Sequence, residues 1–337
     1  MRWACLDCRA MTAIEASSIS LLPAQPRGAH AVVVGGGTMG ADVAIVLARG
    51  GCRVSVVEPQ AEQREALDQR VQAGLAELGL ARRANQVQSV PDLQAVDWPG
   101  VRLVVECIPE KLDLKQALFE QLVVLAPANC VLTSNSSSFP ISAIAQGLPT
   151  QERMLGLHFF MPAHLVPLVE VVLGPQTRTD TADSLGAFMR GCGSVPVLVR
   201  KDKPGFLANR LQHALSREAF ALIDEGVATP EDVDAAVRFG FGFRYLAAGP
   251  VMQRDHAGLD VHCAAAATMY PSLSNTAEPS RALRDRVQAG RMGMKAGAGF
   301  YDWTPATRQA ERARYDQLLR QGLQLLAPEL PPLDTSF

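Results

Sequence analysis

Residues 31–40 read Ala-Val-Val-Val-Gly-Gly-Gly-Thr-Met-Gly, and this stretch decides the fold. The β-branched run 31–34 is typical of a short buried strand. The apolar, alanine-rich run 41–48 after the glycines is typical of a helix. A strand that passes through a glycine turn directly into a helix predicts the first unit of a parallel α/β sheet.

The glycine turn has the spacing of a dinucleotide-binding loop. Gly35 permits the tight turn, Gly37 lets the backbone approach a pyrophosphate, and Gly40 lets the helix pack close to the sheet. Thr38 and Met39 lie where the N-terminus of the helix offers free N–H groups to phosphates. We therefore predict that these five residues bind a cofactor. The alternative is a glycine-rich turn that binds no dinucleotide.

An acidic residue follows the second predicted strand, 53–57, at the distance that such a loop requires. Glu58 lies 18 residues after Gly40. A carboxylate there can accept a hydrogen bond from a ribose 2′-hydroxyl, whereas it would repel a 2′-phosphate. The sequence therefore predicts NAD, rather than NADP, as the cofactor, with Glu58 as a binding residue.

The α/β pattern continues up to about residue 200. Further strands are predicted at 101–105, 130–133, 154–160, 168–173 and 195–199, and helices at 62–80, 113–125 and 183–190. After Pro204 only helical patterns remain. The predicted fold class is α/β, a Rossmann-type doubly wound sheet followed by an all-α C-terminal domain.

The chain divides accordingly into four predicted parts. They are a disordered leader, 1–28; an NAD-binding domain, 29–203; a helical substrate and dimerisation domain, 204–303; and a C-terminal helix and tail, 304–337.

Composition excludes several other classes of protein. The net charge of the 337 residues is -2, which argues against a nucleic-acid protein with a basic face. No apolar run approaches the roughly 20 residues that span a bilayer. Seven cysteines without a spaced framework indicate reduced thiols and a cytoplasmic protein. Cys5 and Cys8 have metal-type spacing but lack a second pair, so no metal is predicted.

Two polar residues lie inside apolar strands. His158 lies in Gly156-Leu-His-Phe-Phe160 and Glu170 in Leu168-Val-Glu-Val-Val172, and the short connection predicts that they are antiparallel neighbours. Glu170 can then orient the imidazole as a base, unless the two form only a buried structural ion pair. Ser137 from a carboxyl-end loop and Asn209 from the second domain complete a cleft that suits alcohol–ketone oxidoreduction.

At this point the chain resembles the 3-hydroxyacyl-CoA dehydrogenase family over about residues 30–303. The motifs that carry the resemblance occur in the family's order. They are Gly35–Gly40, Val105-Glu-Cys-Ile-Pro-Glu110 with Lys115, Ser134-Asn-Ser-Ser-Ser138, Gly156–Phe160 with Leu168-Val-Glu170, Pro204-Gly-Phe-Leu-Ala-Asn-Arg210, Gly249-Pro with Gly258-Leu-Asp260, and Arg291–Tyr301.

The resemblance implies roles for individual residues. His158 would be the general base that Glu170 orients, while Ser137 and Asn209 would hydrogen-bond the reacting oxygen. Glu110 and Lys115 match positions near the nicotinamide ribose; the alternatives are a helix N-terminal carboxylate and a surface lysine. The resemblance also implies a homodimer formed through the helical domain.

The sequence departs from the fatty-acyl members at the predicted substrate residues. Met161 stands three residues after His158, where those members have Asn, and a thioether offers no hydrogen-bond donor. Arg244 lies in a segment that looks like the L-gulonate, carnitine and pyridoxine-breakdown dehydrogenases, and it can pair with a carboxylate or be a surface arginine. Four arginines, Arg64, Arg70, Arg82 and Arg83, are candidates for CoA phosphates or for surface charges.

The sequence thus predicts an NAD-dependent oxidation of a secondary alcohol. The first candidate substrate is an L-3-hydroxyacyl-CoA, as in fatty acid metabolism. The alternative is a small free hydroxy acid or carboxylated alcohol. A minor alternative is a non-catalytic, lambda-crystallin-like member, against which the presence of all four catalytic candidates argues.

Overall fold

The computed structural model describes residues 21–334. Its sheet has eight strands in the order β3-β2-β1-β4-β5-β6-β7-β8. The strands are β1 His30–Val34, β2 Arg53–Val57, β3 Val87–Val90, β4 Val101–Glu106, β5 Val131–Ser134, β6 Met154–Phe159, β7 Leu168–Leu173 and β8 Val195–Val199. All neighbours are parallel except β6 and β7, which are antiparallel. The predicted Rossmann-type sheet is confirmed.

The sequence analysis missed β3. This strand has four residues, Val87–Val90, and two of them are Gln88 and Ser89. A short edge strand with a half-polar sequence has no distinctive apolar pattern. Its pairing with β2 places it at the outer edge of the sheet.

Within residues 21–334, twelve helices accompany the sheet. They are α1 Thr38–Arg49, α2 Ala61–Glu77, α3 Leu112–Leu125, α4 Ile141–Ile144, α5 Thr179–Gly191, α6 Ala208–Asp224, α7 Pro230–Ala236, α8 Gly242–Arg244, α9 Pro250–Ala257, α10 Leu259–Met269, α11 Arg281–Gln288 and α12 Pro305–Leu326. The predicted all-α region after Pro204 is confirmed. Prolines begin α7, α9 and α12, because the first helical position needs no N–H donor.

The core lies on both faces of the sheet. Ala31 and Val33 of β1 pack toward α1, α2 and α5, whereas Val32 and Val34 pack toward α3 and α4. Successive side chains of a strand point to opposite faces, so a continuous apolar run fits a strand covered on both sides. Since β1 and β4 are neighbours in space, the chain reverses its strand order there, and a crevice opens beyond their carboxyl ends.

The described ends of the chain pack against this domain. Leu22 is 1% exposed, and the Gly28 N–H donates to the Gly51 carbonyl at 2.8 Å. The prediction that residues 1–28 are a disordered leader is therefore wrong for 21–28, because an apolar side chain there completes the core. Residues 1–20, with the Cys5 and Cys8 pair, lie outside the described residues. At the other end, Arg83 donates to the Asp334 carbonyl at 2.7 Å.

Candidate active site

The glycine turn joins β1 to α1, and the shape of its backbone explains two of its glycines. Gly35 has a φ of +105°, and a Cβ there would lie 2.7 Å from the Cys107 carbonyl oxygen. A Cβ on Gly40 would lie 1.8 Å from the Gly35 carbonyl oxygen, so the helix packs against the turn itself. The same Cβ would lie 3.5 Å from Cγ1 of Val33 in β1, so Gly40 lies close to the sheet as well as to the turn.

Gly37 faces open space. No atom lies within 4 Å of a Cβ built there, and α1 begins at the next residue without a side-chain cap. The free N–H groups of Thr38 and Met39 and the partial positive charge of the helix end fit a pyrophosphate. The turn therefore fits the diphosphate of NAD.

Glu58 lies beside this turn, directly after β2. Its two carboxylate oxygens accept from the N–H groups of Gly36 and Gln60, both at 3.0 Å. These bonds hold a negative charge at the rim of the crevice, where a ribose would follow the pyrophosphate. The placement fits NAD, whose ribose carries a free 2′-hydroxyl, and disfavours the 2′-phosphate of NADP.

Lys115 is buried, with 1% of its side chain exposed, so the alternative of a surface lysine is wrong. Its ammonium lies 2.7 Å from Glu106 and 3.2 Å from Glu110. Glu106 is fully buried and also accepts from the Ile108 N–H at 2.7 Å. Glu106 stands in the Val105–Glu110 motif quoted from the sequence, but no role was predicted for it, although a glutamate that ends a buried strand was a usable signal.

Glu110 joins two carboxyl-end loops. Its carboxylate accepts from the Ser136 hydroxyl at 2.6 Å and from the Ser138 N–H at 2.9 Å. Burial alone would raise the pKa of Glu110, but the Ser136 hydroxyl and the Lys115 charge lower it below its usual value. The carboxylate is therefore ionised, and it does more than begin a helix.

Ser137, His158 and Glu170 form one hydrogen-bonded chain. His158 pairs with Glu170 in the β6–β7 register, which confirms that they are antiparallel neighbours. The His158 Nδ1 lies 2.8 Å from Glu170 Oε2, and its Nε2 lies 3.0 Å from Ser137 Oγ. Because an ionised carboxylate only accepts, Nδ1 carries the proton and Nε2 is left as the basic nitrogen. This geometry suits a base that is held in one tautomer.

Glu170 also links the sheet to the helical region. Its second oxygen accepts from the N–H groups of Leu207, at 3.0 Å, and Ala208, at 2.7 Å. Burial would raise the pKa of Glu170, but the bonds from His158 and Ala208 outweigh burial and lower it. Glu170 is thus held as an anion beside the imidazole, and α6 begins at the same point.

Asn209 follows directly on α6. It lines a cavity of about 700 Å³ with Pro204, Gly205 and Arg210. Within residues 21–334, its side chain makes no hydrogen bond with Ser137, His158 or Glu170. The structure therefore joins three of the four predicted catalytic residues and places the fourth one residue beyond the contact with Glu170.

The two predicted substrate residues, Met161 and Arg244, are exposed. Met161 follows β6 and is 64% exposed. Arg244 is exposed in α8, and no ion pair from its side chain occurs in the described part of the chain.

Three of the four arginines considered for CoA phosphates have other partners. Arg64 donates to the carbonyl oxygens of Glu58 and Pro59, Arg70 pairs with Asp42, and Arg83 bonds the Arg49 and Asp334 carbonyls. The fourth, Arg82, is exposed. Arg64, Arg70 and Arg83 therefore use hydrogen-bond donors within the protein that a CoA phosphate would otherwise need.

These features define a class of protein, an oxidoreductase that binds NAD in a Rossmann domain. Residues 30–203 match the family model "3-hydroxyacyl-CoA dehydrogenase, NAD binding domain", and residues 205–303 match "3-hydroxyacyl-CoA dehydrogenase, C-terminal domain". The chain belongs to the 3-hydroxyacyl-CoA dehydrogenase family. It uses NAD and is a dehydrogenase.

Two relatives and one solved structure indicate the range of substrates. The chain is 33% identical to 5-formyl-3-hydroxy-2-methylpyridine 4-carboxylate 5-dehydrogenase of Mesorhizobium japonicum over 290 residues, which are 84% of this chain and 94% of that protein. It is 36% identical to 3-hydroxyadipyl-CoA dehydrogenase of Escherichia coli over 282 residues, 80% of this chain but 58% of that protein. A crystal structure of the pyridine carboxylate dehydrogenase, described as an NAD⁺-dependent dismutase, superposes with a TM-score of 0.83 at 30% identity, covering 88% of this chain and 98% of that one.

No helix within residues 21–334 is long and apolar enough to cross a membrane.

Proposed function

We propose that this dehydrogenase oxidises a secondary alcohol to a ketone, with His158 as the general base. The observation that supports this proposal is the chain from Ser137 through His158 to Glu170. Bound NAD supplies the acceptor for the hydride that leaves the carbinol carbon. The substrate hydroxyl would lie against His158 Nε2 and give its proton to that nitrogen.

Glu170 and two aromatic rings support this proton transfer. The carboxylate keeps the proton on Nδ1 and stabilises the imidazolium that forms when Nε2 is protonated. Phe160 and Phe206 pack against the imidazole at 4.6 and 5.5 Å between ring centroids and exclude water from it. Ser137 would turn its hydroxyl to the reacting oxygen, and Asn209 would add an amide donor from the second domain.

For the substrate, we propose a small alcohol that carries a free carboxylate, and this reverses the order given by the sequence alone. Met161 offers no donor to a thioester, and Arg64, Arg70 and Arg83 are engaged within the protein. The similarity to a dehydrogenase whose named substrate carries a carboxylate also supports the free carboxylate. An L-3-hydroxyacyl-CoA remains the second candidate, because the 3-hydroxyadipyl-CoA dehydrogenase is equally similar in sequence.

A substrate panel tests both candidates. Purified protein with NAD is offered L-3-hydroxybutyryl-CoA and, separately, the free acids 3-hydroxybutyrate, gulonate and carnitine, while NADH formation is recorded. We expect kcat/KM to be higher for at least one free acid than for the thioester. Turnover confined to the thioester would restore the acyl-CoA assignment, and no turnover of any alcohol would contradict the proposed reaction.

We also propose that the protein acts as a homodimer formed through its helical domain. The apolar core beyond residue 204 is small: Phe206 and Ala282 are the buried apolar side chains described there. Large apolar side chains on α8, α9 and α10 and near them are exposed, namely Phe239, Phe243, Val251, Leu259, Val261 and Tyr270. Exposed large apolar side chains in this number are typical of a region that a partner subunit covers.

The five described cysteines are free thiols. They fit a reducing compartment, and on that basis we propose a cytoplasmic location.

A further inference from the structure

Asp42 is a charged residue inside the helix that begins at the glycine turn. It lies in α1, and its side chain is fully buried. Arg70 of α2 reaches its Oδ1 through Nε at 3.0 Å and Nη2 at 2.7 Å, and His164 Nδ1 lies 3.4 Å from the same oxygen. Burial would raise the pKa of Asp42, but His164 and Arg70 outweigh it and lower that pKa. Asp42 is therefore an anion.

The other oxygen of Asp42 binds a loop of the catalytic domain. Oδ2 accepts from the Ala163 N–H at 3.1 Å. Arg49, two turns further along α1 on the same face, donates to the His164 carbonyl at 3.4 Å. The loop that follows β6 is thus held at consecutive residues by two side chains of α1.

This loop connects the two strands that carry His158 and Glu170. It starts at Phe160, whose ring packs on His158, passes through the exposed Met161, and ends where β7 begins. Ala163 is 3% exposed, so the loop is pressed against the domain at the point where Asp42 binds it. The N-terminus of the same α1 faces the space for the pyrophosphate. One helix therefore carries both the cofactor turn and the anchor of the substrate-side loop.

We propose that Asp42 is a positioning residue, which fixes the loop from Phe160 to Pro167 so that Met161 and the His158 ring lie correctly for the alcohol substrate. The proposal rests on the proposed function of His158 as the base. Asp42 touches neither substrate nor cofactor and acts through the Ala163 N–H. A misplacement of reacting groups by about 1 Å can lower a rate about 100-fold, so an anchor of this kind affects turnover from a distance.

Two variants separate anchoring of the loop from a merely structural ion pair. Asp42→Ala removes both the bond to Ala163 and the pair with Arg70. Arg70→Met removes the pair but leaves the bond to Ala163. We compare both variants with the native protein by three measurements. The first is hydrogen exchange of the Ala163 amide without substrate. The second is the steady-state kcat and KM on the best substrate of the panel, and the third, the Kd for NAD, is the control.

We expect Asp42→Ala to speed exchange of the Ala163 amide about tenfold or more and to lower kcat/KM by about tenfold or more. A displaced His158 ring would lower kcat, and a displaced Met161 would raise KM. Arg70→Met should change the exchange rate and kcat/KM much less. The Kd for NAD should stay within about twofold of the native value in the two variants. Equal effects of the two variants, or a native kcat/KM in Asp42→Ala, would overturn the proposal.

A third variant and the exchange measurement keep the proposal testable. If Asp42→Ala does not fold by circular dichroism, Asp42→Leu replaces it, since leucine fills the same buried space without an acceptor for the Ala163 N–H, and its Ala163 exchange must still exceed that of Arg70→Met. Because the exchange measurement needs no substrate, a panel without turnover would contradict the proposed function, while the exchange result would still decide the anchoring of the loop.

Discussion

At the scale of single residues, His158 shows how surroundings select chemistry. Its ring is buried between a carboxylate and a hydroxyl, so one nitrogen is protonated and the other is a base. We predict that His158→Ala lowers kcat by roughly 10²–10⁴-fold while NAD still binds. Stopped-flow turnover and calorimetric titration with NAD measure the two effects.

A second buried histidine provides a matched control. The His30 Nε2 lies 2.9 Å from the Ser55 hydroxyl at the opposite, amino end of the strands. His30→Ala should therefore keep turnover close to that of the native enzyme. A His158→Ala variant as active as His30→Ala would remove His158 from the mechanism.

Glu58 is expected to decide which nicotinamide cofactor is used. Glu58→Ala removes the carboxylate beside the glycine turn, and a lost hydrogen bond to a charged group costs about 1.5–3 kcal/mol, or roughly 10–100-fold in the Kd for NAD. The Kd for NADP should not rise, because the repelled 2′-phosphate no longer meets a negative charge. Calorimetry with both cofactors measures this, and Glu65→Ala on the exposed face of α2 is the control. An equal loss for both cofactors would contradict the ribose assignment.

At the scale of elements, two glycines of the turn between β1 and α1 have different roles. We expect Gly40 to be needed for stability and Gly37 for cofactor binding. Gly40→Ala would force a Cβ to within 1.8 Å of the Gly35 carbonyl oxygen, so it should destabilise the protein by about 1–3 kcal/mol or more. Gly37→Ala meets no atom within 4 Å, so its melting temperature should be native. Its methyl group would instead occupy space for the pyrophosphate and raise the Kd for NAD about tenfold or more.

Thermal unfolding and cofactor titration of the two glycine variants together test this assignment. We expect Gly40→Ala to lower the melting temperature. We expect Gly37→Ala to raise the Kd for NAD and to leave the melting temperature unchanged. If Gly37→Ala binds NAD as the native protein does, the pyrophosphate does not lie over that residue.

At the scale of the whole molecule, the exposed apolar surface of the helical domain predicts a dimer. Leu259→Asp places a charge on α10 within this surface, and an unpaired buried charge costs about 3–5 kcal/mol. We expect the variant to sediment as a monomer at concentrations at which the native protein is a dimer. Val124→Asp on α3, where the side chain is 83% exposed in one chain against 62% for Leu259, should leave the dimer intact. A native protein that sediments as a monomer would contradict the proposed interface.

Much of the fold was predictable from local pattern. The turn at Gly35–Gly40, the strand alternation and the helical second region follow from periodicity and glycine spacing, which act over a few residues. The pairing of His158 with Glu170 was predictable because a short connection between two strands leaves few registers. The strand Val87–Val90 was not predictable, because its order comes from pairing with β2 rather than from its own composition.

Other features depended on contacts between distant parts of the chain. Lys115 looks like a surface lysine in sequence, yet Glu106, from the preceding strand, and Glu110 enclose it. In sequence, Arg83 is a candidate for a CoA phosphate or a surface charge, yet it donates to the carbonyl oxygen of Asp334, 251 residues further along the chain. Residues 21–28 look like a leader, yet Leu22 completes the core.

By itself, therefore, the sequence determined the fold class, the cofactor and the pairing of His158 with Glu170, because each depends on short-range spacing that chain geometry translates directly into contact. Only the tertiary structure decided which charges are free to meet a substrate. That outcome depends on which buried carboxylates and carbonyls lie within hydrogen-bond distance, and a sequence does not display distances between residues far apart in the chain.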